Sequence, residues 1–160
     1  MVFRNFFLIF ILLLTGCATV VNKTPTSFPK EKVCVVLPFV NYSTTPLAGE
    51  KAASIVYGVL KSKGYRVKKF FDFKEEDFSS SEVKDLIEKA KESGYKCVIG
   101  GYVNEWQYKV GVDGEPTVSL TIYAQDLGSK KNFFVITLSA TGWGYGSVSS
   151  LTQKLINKNF

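Results

Sequence analysis

The sequence predicts an α/β (α+β) fold in a single domain: a mixed β-sheet of about five strands with three helices, in the order βαβαβββα. Three observations predict it. In the first half, near-continuous apolar runs alternate with segments of helical period, the pattern of buried parallel strands joined by crossover helices. In the second half, two segments alternate strictly between apolar and polar residues across short turns, the pattern of an antiparallel meander. Serine–glutamate and serine–glutamine spacings mark helix starts, and glycines mark helix ends.

The chain begins with "MVFRNFFLIFILLLTGC": Arg4 as the only charge, an apolar run from Phe6 to Leu14, small residues, then Cys17. That is the layout of a secretory leader. It falls short of the roughly 20 apolar residues a spanning helix needs. The four residues Leu14-Thr15-Gly16-Cys17 resemble a bacterial lipobox, which implies cleavage before Cys17 and acylation (palmitate among the acyl chains) of that residue. Ala18 at the next position implies sorting to the outer membrane. Residues 1–16 are thus expected as the signal peptide, 17–32 as a flexible lipidated tether with two prolines, and 33–160 as the folded domain.

Each element has its own signal. "KVCVVLPFVN" reads as a strand buried on both faces. Ala52, Ile55, Val56, Val59 and Leu60 make the stripe of the first helix, with Thr45-Pro46 as its expected start and Gly64 as its end. "YRVKKFF" is a short strand and "DFKEED" an acidic loop. Ser79 and Glu82 form a capping box for the second helix, whose stripe is Val83, Leu86, Ile87 and Ala90 and whose end is Gly94. "KCVIGGYVNEWQYKV" is a long strand, followed by the turn at Asp113-Gly114. Val118, Leu120, Ile122 and Ala124 alternate on the next strand; Phe134, Ile136, Leu138 and Ala140 on the last. Ser150 to Gln153 is the expected capping box of a terminal helix over "LTQKLINK".

Composition narrows the chemistry. The chain contains no histidine, which removes Ser-His-Asp triads, histidine metal sites and the commonest general base. No metal, cofactor or catalytic residue is expected. Asp113 and Glu115 are spaced like a carboxylate pair, but on a hairpin open to water. The net charge is +6, and the leader accounts for only one of the basic residues, Arg4. Behind an export signal that basicity points to anionic lipid or envelope polymers rather than to nucleic acid. Cys34 and Cys97 both sit in strand-like apolar runs, where a bridge between neighbouring strands is geometrically awkward. Two buried free thiols are the expected state, and a disulfide is the alternative that an oxidising compartment permits.

Two aromatic groups stand out. On the long strand Tyr102, Trp106 and Tyr108 fall on one side by simple alternation, and this side is the candidate surface for a neighbouring copy. In "SATGWGYGSVSS", Trp143 and Tyr145 lie between glycines. That stretch can be a ligand loop, a membrane or partner contact, or a turn holding a structural Trp. With a lipidated Cys17, membrane contact through Trp143 and Tyr145 is the expectation.

The stretch from Glu105 to Pro116, E-W-x-Y-K-x-G-x-D-G-E-P, and that from Gly142 to Ser149, G-W-G-x-x-S-V-S, resemble the PelC family of small lipoproteins in Pel exopolysaccharide export. The opening "VLPFVNYSTTPLAGEKAA" is shared more widely, with TolB N-terminal domains among others. The resemblance implies an anticodon-binding-domain-like fold and a homo-oligomeric ring on the periplasmic side of the outer membrane. It implies as partners the outer-membrane lipid, an export porin with periplasmic repeats, and a cationic exopolysaccharide of the biofilm matrix. It also implies an acidic lumen, for which Asp113 and Glu115 are the candidates, whereas the chain is net basic. The competing reading is a monomeric lipoprotein that activates a peptidoglycan synthase.

Overall fold

The computed structural model describes residues 19–24, 28, 30–109, 114–142 and 146–160. Strands are β1 (Thr19–Lys23), β2 (Cys34–Val36), β3 (Val40–Asn41), β4 (Val67–Lys69), β5 (Cys97–Lys109), β6 (Glu115–Asp126) and β7 (Asn132–Thr141). Helices are α1 (Ala48–Ser62), α2 (Ser80–Glu92) and α3 (Val148–Asn159). All strands join one sheet in the order β1-β7-β6-β5-β2-β4, with β3 following β2 along the same flank of β5. The β2, β3 and β4 pairings are parallel; the β5-β6-β7-β1 pairings are antiparallel. Among the described residues the expected mixed sheet with three helices forms, with seven strands rather than about five because β1 and β3 join it. No helix among the described residues is long and apolar enough to cross a membrane.

The helices divide the sheet into two cores. α1 and α3 cover one face, where Val56, Leu60, Leu155 and Ile156 meet Ile99, Val103, Leu120, Ile122, Ile136 and Leu138. α2 covers part of the other face, placing Val83 and Ala90 over Val35, Leu37, Val40 and Val98. Gly64 and Gly94 end α1 and α2 with φ of +81° and +83°, the left-handed region that glycine enters without steric cost. The Ser79–Glu82 capping box is present, and Lys74 adds an ion pair to Glu82 at 2.6 Å.

Four expectations change. The stretch expected as a tether contributes a strand and a core residue: Thr19–Lys23 pairs antiparallel with β7, and Phe28 is buried against Tyr65, Phe134 and Phe160. Backbone pairing to an otherwise open edge strand needs no sequence period, so composition gave no sign of it. Thr45 does not cap α1, because its hydroxyl donates to the Trp106 carbonyl; the helix starts at Ala48 behind Leu47, whose φ is 59°. α3 starts earlier than expected, with a reciprocal box between Ser147 and Ser150 in place of Ser150 and Gln153.

The fourth change concerns the cysteines. Cys34 and Cys97 are Cα partners in the β2–β5 register, 4.5 Å apart, and are joined by a disulfide rather than left as free thiols. The register brings the pair within bridging distance and overrides the general awkwardness of a bridge between adjacent strands. It closes a loop of 63 residues that contains β3, α1, β4 and α2. Replacing both cysteines by alanine should cost about 2–4 kcal/mol. Urea denaturation of the oxidised protein against the double variant measures it.

Candidate functional site

α2 spans only the parallel half of its face, so among the described residues no helix lies over the β5-β6-β7 half. Period-two alternation decides what is left bare. With Leu120, Ile122, Ile136 and Leu138 directed to the two-helix core, Ser119, Thr121, Tyr123, Val135, Thr137 and Ser139 take the opposite side. The hydroxyls pair across the strands: Ser119 with Ser139 at 2.8 Å, and Thr121 with Thr137 at 3.3 Å. Asn104 donates its amide to Thr121 at 3.3 Å.

An aromatic row borders this hydroxyl ladder. Tyr42 stacks on Tyr102 with centroids 5.8 Å apart and planes 12° apart, and Tyr123 follows at 6.0 Å. Tyr42 is 63% exposed. The Tyr123 ring lies over Gly100, where a Cβ would come within 2.4 Å of its hydroxyl. Burial, and then the neighbouring Tyr102, push the Tyr123 phenol up to about 12, so it stays a neutral hydrogen-bond donor at any physiological pH. Between this row and the flank of α2 runs a cleft of about 460 Å³ lined by Lys84, Ile87, Thr121 and Gln125 among others. Flat aromatic rings, hydroxyls and amides suit a protein surface or a sugar ring; no acid–base pair stands among them. Among the described residues no group of three or more His, Cys, Asp or Glu side chains could hold a metal ion.

The residues expected at a copy-to-copy surface separate. A register shift between Val103 and Glu105 leaves Asn104 as a bulge. Tyr102 before it faces the open side, whereas Trp106 after it turns into the two-helix core and is 4% exposed. Trp106 is therefore a core residue, and the three aromatics do not share a face. Tyr108, two residues on, is exposed at the sheet end, its ring against Gly114. Tyr42 and Tyr123 replace Trp106 in the row. Tyr123 was legible as an aromatic on the polar face of an alternating strand; Tyr42 follows β3 in a stretch with no period to reveal it.

Glu115 opens β6, exposed and opposite Lys109. Cys17, Asp113, Trp143 and Tyr145 lie outside the described residues. Sequence reading missed Glu50 altogether. It sits in the first turn of α1, 1% exposed, and among the described residues neither carboxylate oxygen has a hydrogen-bond partner in another residue. Desolvation raises its pKa; its own backbone N–H opposes the rise, Asp77 adds to it, and Lys74 and Lys51 act against it.

Two predictions separate these roles. Trp106→Ala should cost about 3–5 kcal/mol of stability as a core truncation, whereas Tyr42→Ala should change it by less than about 0.5 kcal/mol; thermal melts distinguish them. Glu50 has a raised folded pKa, so its favourable term is complete below the unfolded pKa near 4.5 and is lost as pH rises through the folded value. Glu82 and Asp126, each held at about 2, act oppositely and lose their contribution only as pH falls below the ordinary carboxylate range. Glu50→Gln should therefore raise the urea midpoint at pH 7 and leave it nearly unchanged at pH 4.

No protein-family model matches the chain, and no curated protein matches it. Solved structures do. The chain is similar to a point variant of the PelC dodecamer from Paraburkholderia phytofirmans, with 30% identity, a TM-score of 0.75, and 88% of this chain and 94% of the other covered. A second structure of the PelC dodecamer from the same organism gives 29% identity and a TM-score of 0.73 over the same coverage. A lipoprotein from Neisseria meningitidis, 17% identical with a TM-score of 0.55 over 79% of this chain and 93% of its own, shares the fold alone.

Proposed function

The chain belongs to the PelC family, and from that premise we propose that it is a lipid-anchored protein of the outer membrane's periplasmic face. In this reading it assembles into a homo-oligomeric ring and assists export of a cationic exopolysaccharide through an outer-membrane porin, with no chemistry of its own. The observation that carries the reading is the bare half-face of Tyr42, Tyr102, Tyr123 and the hydroxyl ladder, on a chain whose similar structures are dodecamers. Aromatic residues, tyrosine included, are enriched at protein interfaces, and monomers seldom leave large apolar patches open. The aromatic row is flat enough to meet a second copy, and the hydroxyls already bond one another, so covering them leaves no orphaned donor.

The role of Cys17 as lipid carrier rests on the lipobox-like Leu14–Cys17, that of Trp143 and Tyr145 at the headgroups on their amphipathic rings, and that of Asp113 in the lumen on the family resemblance. Glu115 is exposed, as a lumen residue must be.

Native mass spectrometry of the purified lipoprotein in detergent tests the assembly. A closed ring is expected, and the Tyr42→Ala/Tyr102→Ala double variant should run as smaller species with an unchanged cooperative melt. A wild-type protein that stays monomeric at high concentration would instead fit a monomeric activator of a periplasmic enzyme and remove the ring reading.

A further inference from the structure

The chain has three cysteines, of which Cys34 and Cys97 are joined. Both are 0% exposed, on neighbouring strands in the core that α1 and α3 cover. No thiol or disulfide reagent reaches those sulfurs once the sheet has closed, so the partner of each is chosen while the chain is still open. In the open chain the choice does not favour the native pair. Cys34 lies 17 residues from Cys17 and 63 from Cys97. Chain entropy favours closing the shorter loop about sevenfold. An exported chain also emerges amino end first, so Cys34 meets Cys17 before Cys97 arrives.

A bridge between Cys17 and Cys34 is incompatible with the fold. Thr19 pairs with Ala140, which aligns with Val118, which in turn aligns with Trp106. Thr19 therefore sits four strands from β2 and most of the length of β5 from the register of Cys34 and Cys97. Those offsets are about 19 Å across the sheet and about 25 Å along it, or about 30 Å in all. The two residues of chain before Thr19 span at most about 7 Å, and a disulfide needs its Cα atoms within about 7 Å of each other. A chain bridged from Cys17 to Cys34 cannot keep β1 on β7 and β2 on β5 together, and it leaves Cys97 as a free thiol in the core.

We propose that acylation of Cys17 comes before oxidation of Cys34 and Cys97, and that the resulting thioether directs Cys34 to its native partner. The inference rests on the reading that Cys17 carries the lipid. In the first step the Cys17 sulfur attacks the glyceryl carbon of a diacyl phospholipid. An S–C bond forms as the C–O bond to the headgroup phosphate breaks; the phosphate leaves, and the thiol proton goes to solvent. A thioether cannot form a thiolate and takes no part in disulfide exchange. The second step uses a protein disulfide as oxidant. The Cys34 thiolate attacks one of its sulfurs, forming a mixed disulfide and releasing one thiol of the oxidant. The Cys97 thiolate then attacks the Cys34 sulfur, and the second thiol leaves. Two electrons pass from the cysteine pair to the oxidant. The chain is thus the substrate of two consecutive reactions, a diacylglyceryl transfer and a dithiol oxidation, and closure of the sheet seals the second.

The test follows the full chain in bacterial cells whose diacylglyceryl transferase can be depleted. Thiols are blocked at lysis, and unreduced tryptic peptides, which carry the three cysteines separately, are read by mass. With the transferase present, an acylated Cys17 peptide and a bridge between Cys34 and Cys97 are expected. With it depleted, the bridge from Cys17 to Cys34 should exceed the native one several-fold, and Cys17→Ser should restore the native bridge under the same depletion. A depleted chain that joins Cys34 to Cys97 as fully as the acylated chain does overturns the proposal. Oxidation of the unacylated full chain in urea with glutathione disulfide gives a second reading. There the bridge from Cys17 to Cys34 should form about sevenfold faster than the native one, and equal rates or the reverse order overturn the proposal. A Cys17 peptide without acyl mass in cells that hold the transferase removes the anchor reading itself, an outcome distinct from an acylated chain whose bridge is indifferent to acylation.

Discussion

Strand β5 is the element on which the rest of the sheet depends, because it alone is paired on both flanks in different senses. Its first half holds β2 and β3 in parallel, and its whole length holds β6 antiparallel. The parallel partner ends at Asn41, opposite Val103, and the bulge falls at the next residue. Beyond that point one edge of β5 has no strand beside it among the described residues. The Thr45 hydroxyl takes the Trp106 carbonyl there, which satisfies a backbone acceptor the ladder no longer reaches. The bulge then lets Val103 and Trp106 face the same core, so the two-helix side stays filled to the end of the sheet while Tyr102 keeps the open side. A straight strand would have put Trp106 beside Tyr102 and left the core short of its largest ring.

The ends of this arrangement are held by two different devices. At the start of β5 the Cys34–Cys97 bridge ties the parallel half to the centre of the sheet covalently. On the far flank β1 closes the edge of β7, a ten-residue strand rich in Phe, Ile and Leu that would otherwise present a pairing template to other chains. An aromatic cluster of Phe28, Tyr65, Phe134 and Phe160 ties the N-terminal segment to β7 and the end of α3. The segment read as a tether is thus part of the fold at both ends of its path.

What could be read from the sequence was what repeats. The stripes of α1 and α2, the alternation of β6 and β7, the Ser79–Glu82 box and the glycine stops all express a local period or a local steric rule, and all appear where expected. What escaped was set by pairing at a distance. β1 is recruited by an open edge, the disulfide by a register between residues 63 apart, and the burial of Trp106 by a single inserted residue. The site suffered most from the last of these, since period-two counting across a bulge assigns every later side chain to the wrong face. Tyr102 survived because it precedes the bulge; Trp106 did not.

Chain direction also orders the charge. All three helices begin at the sheet end that receives the N-terminus and finish at the other. Their last turns carry Lys61, Lys89, Lys91 and Lys158, each placed against the negative end of a helix dipole. Arg66 and Lys32 lie at the same pole, bonded to the Glu31 carbonyl and to Asp126. The opposite pole holds Glu82 and Glu115, with Asp77 bonded to Asn41. The basic side chains of the helix ends thus gather at the sheet end where the three described helices finish. A basic chain therefore still carries an acidic pole, because Glu82, Asp77 and Glu115 collect at one end of the sheet while the lysines stabilise helix ends at the other.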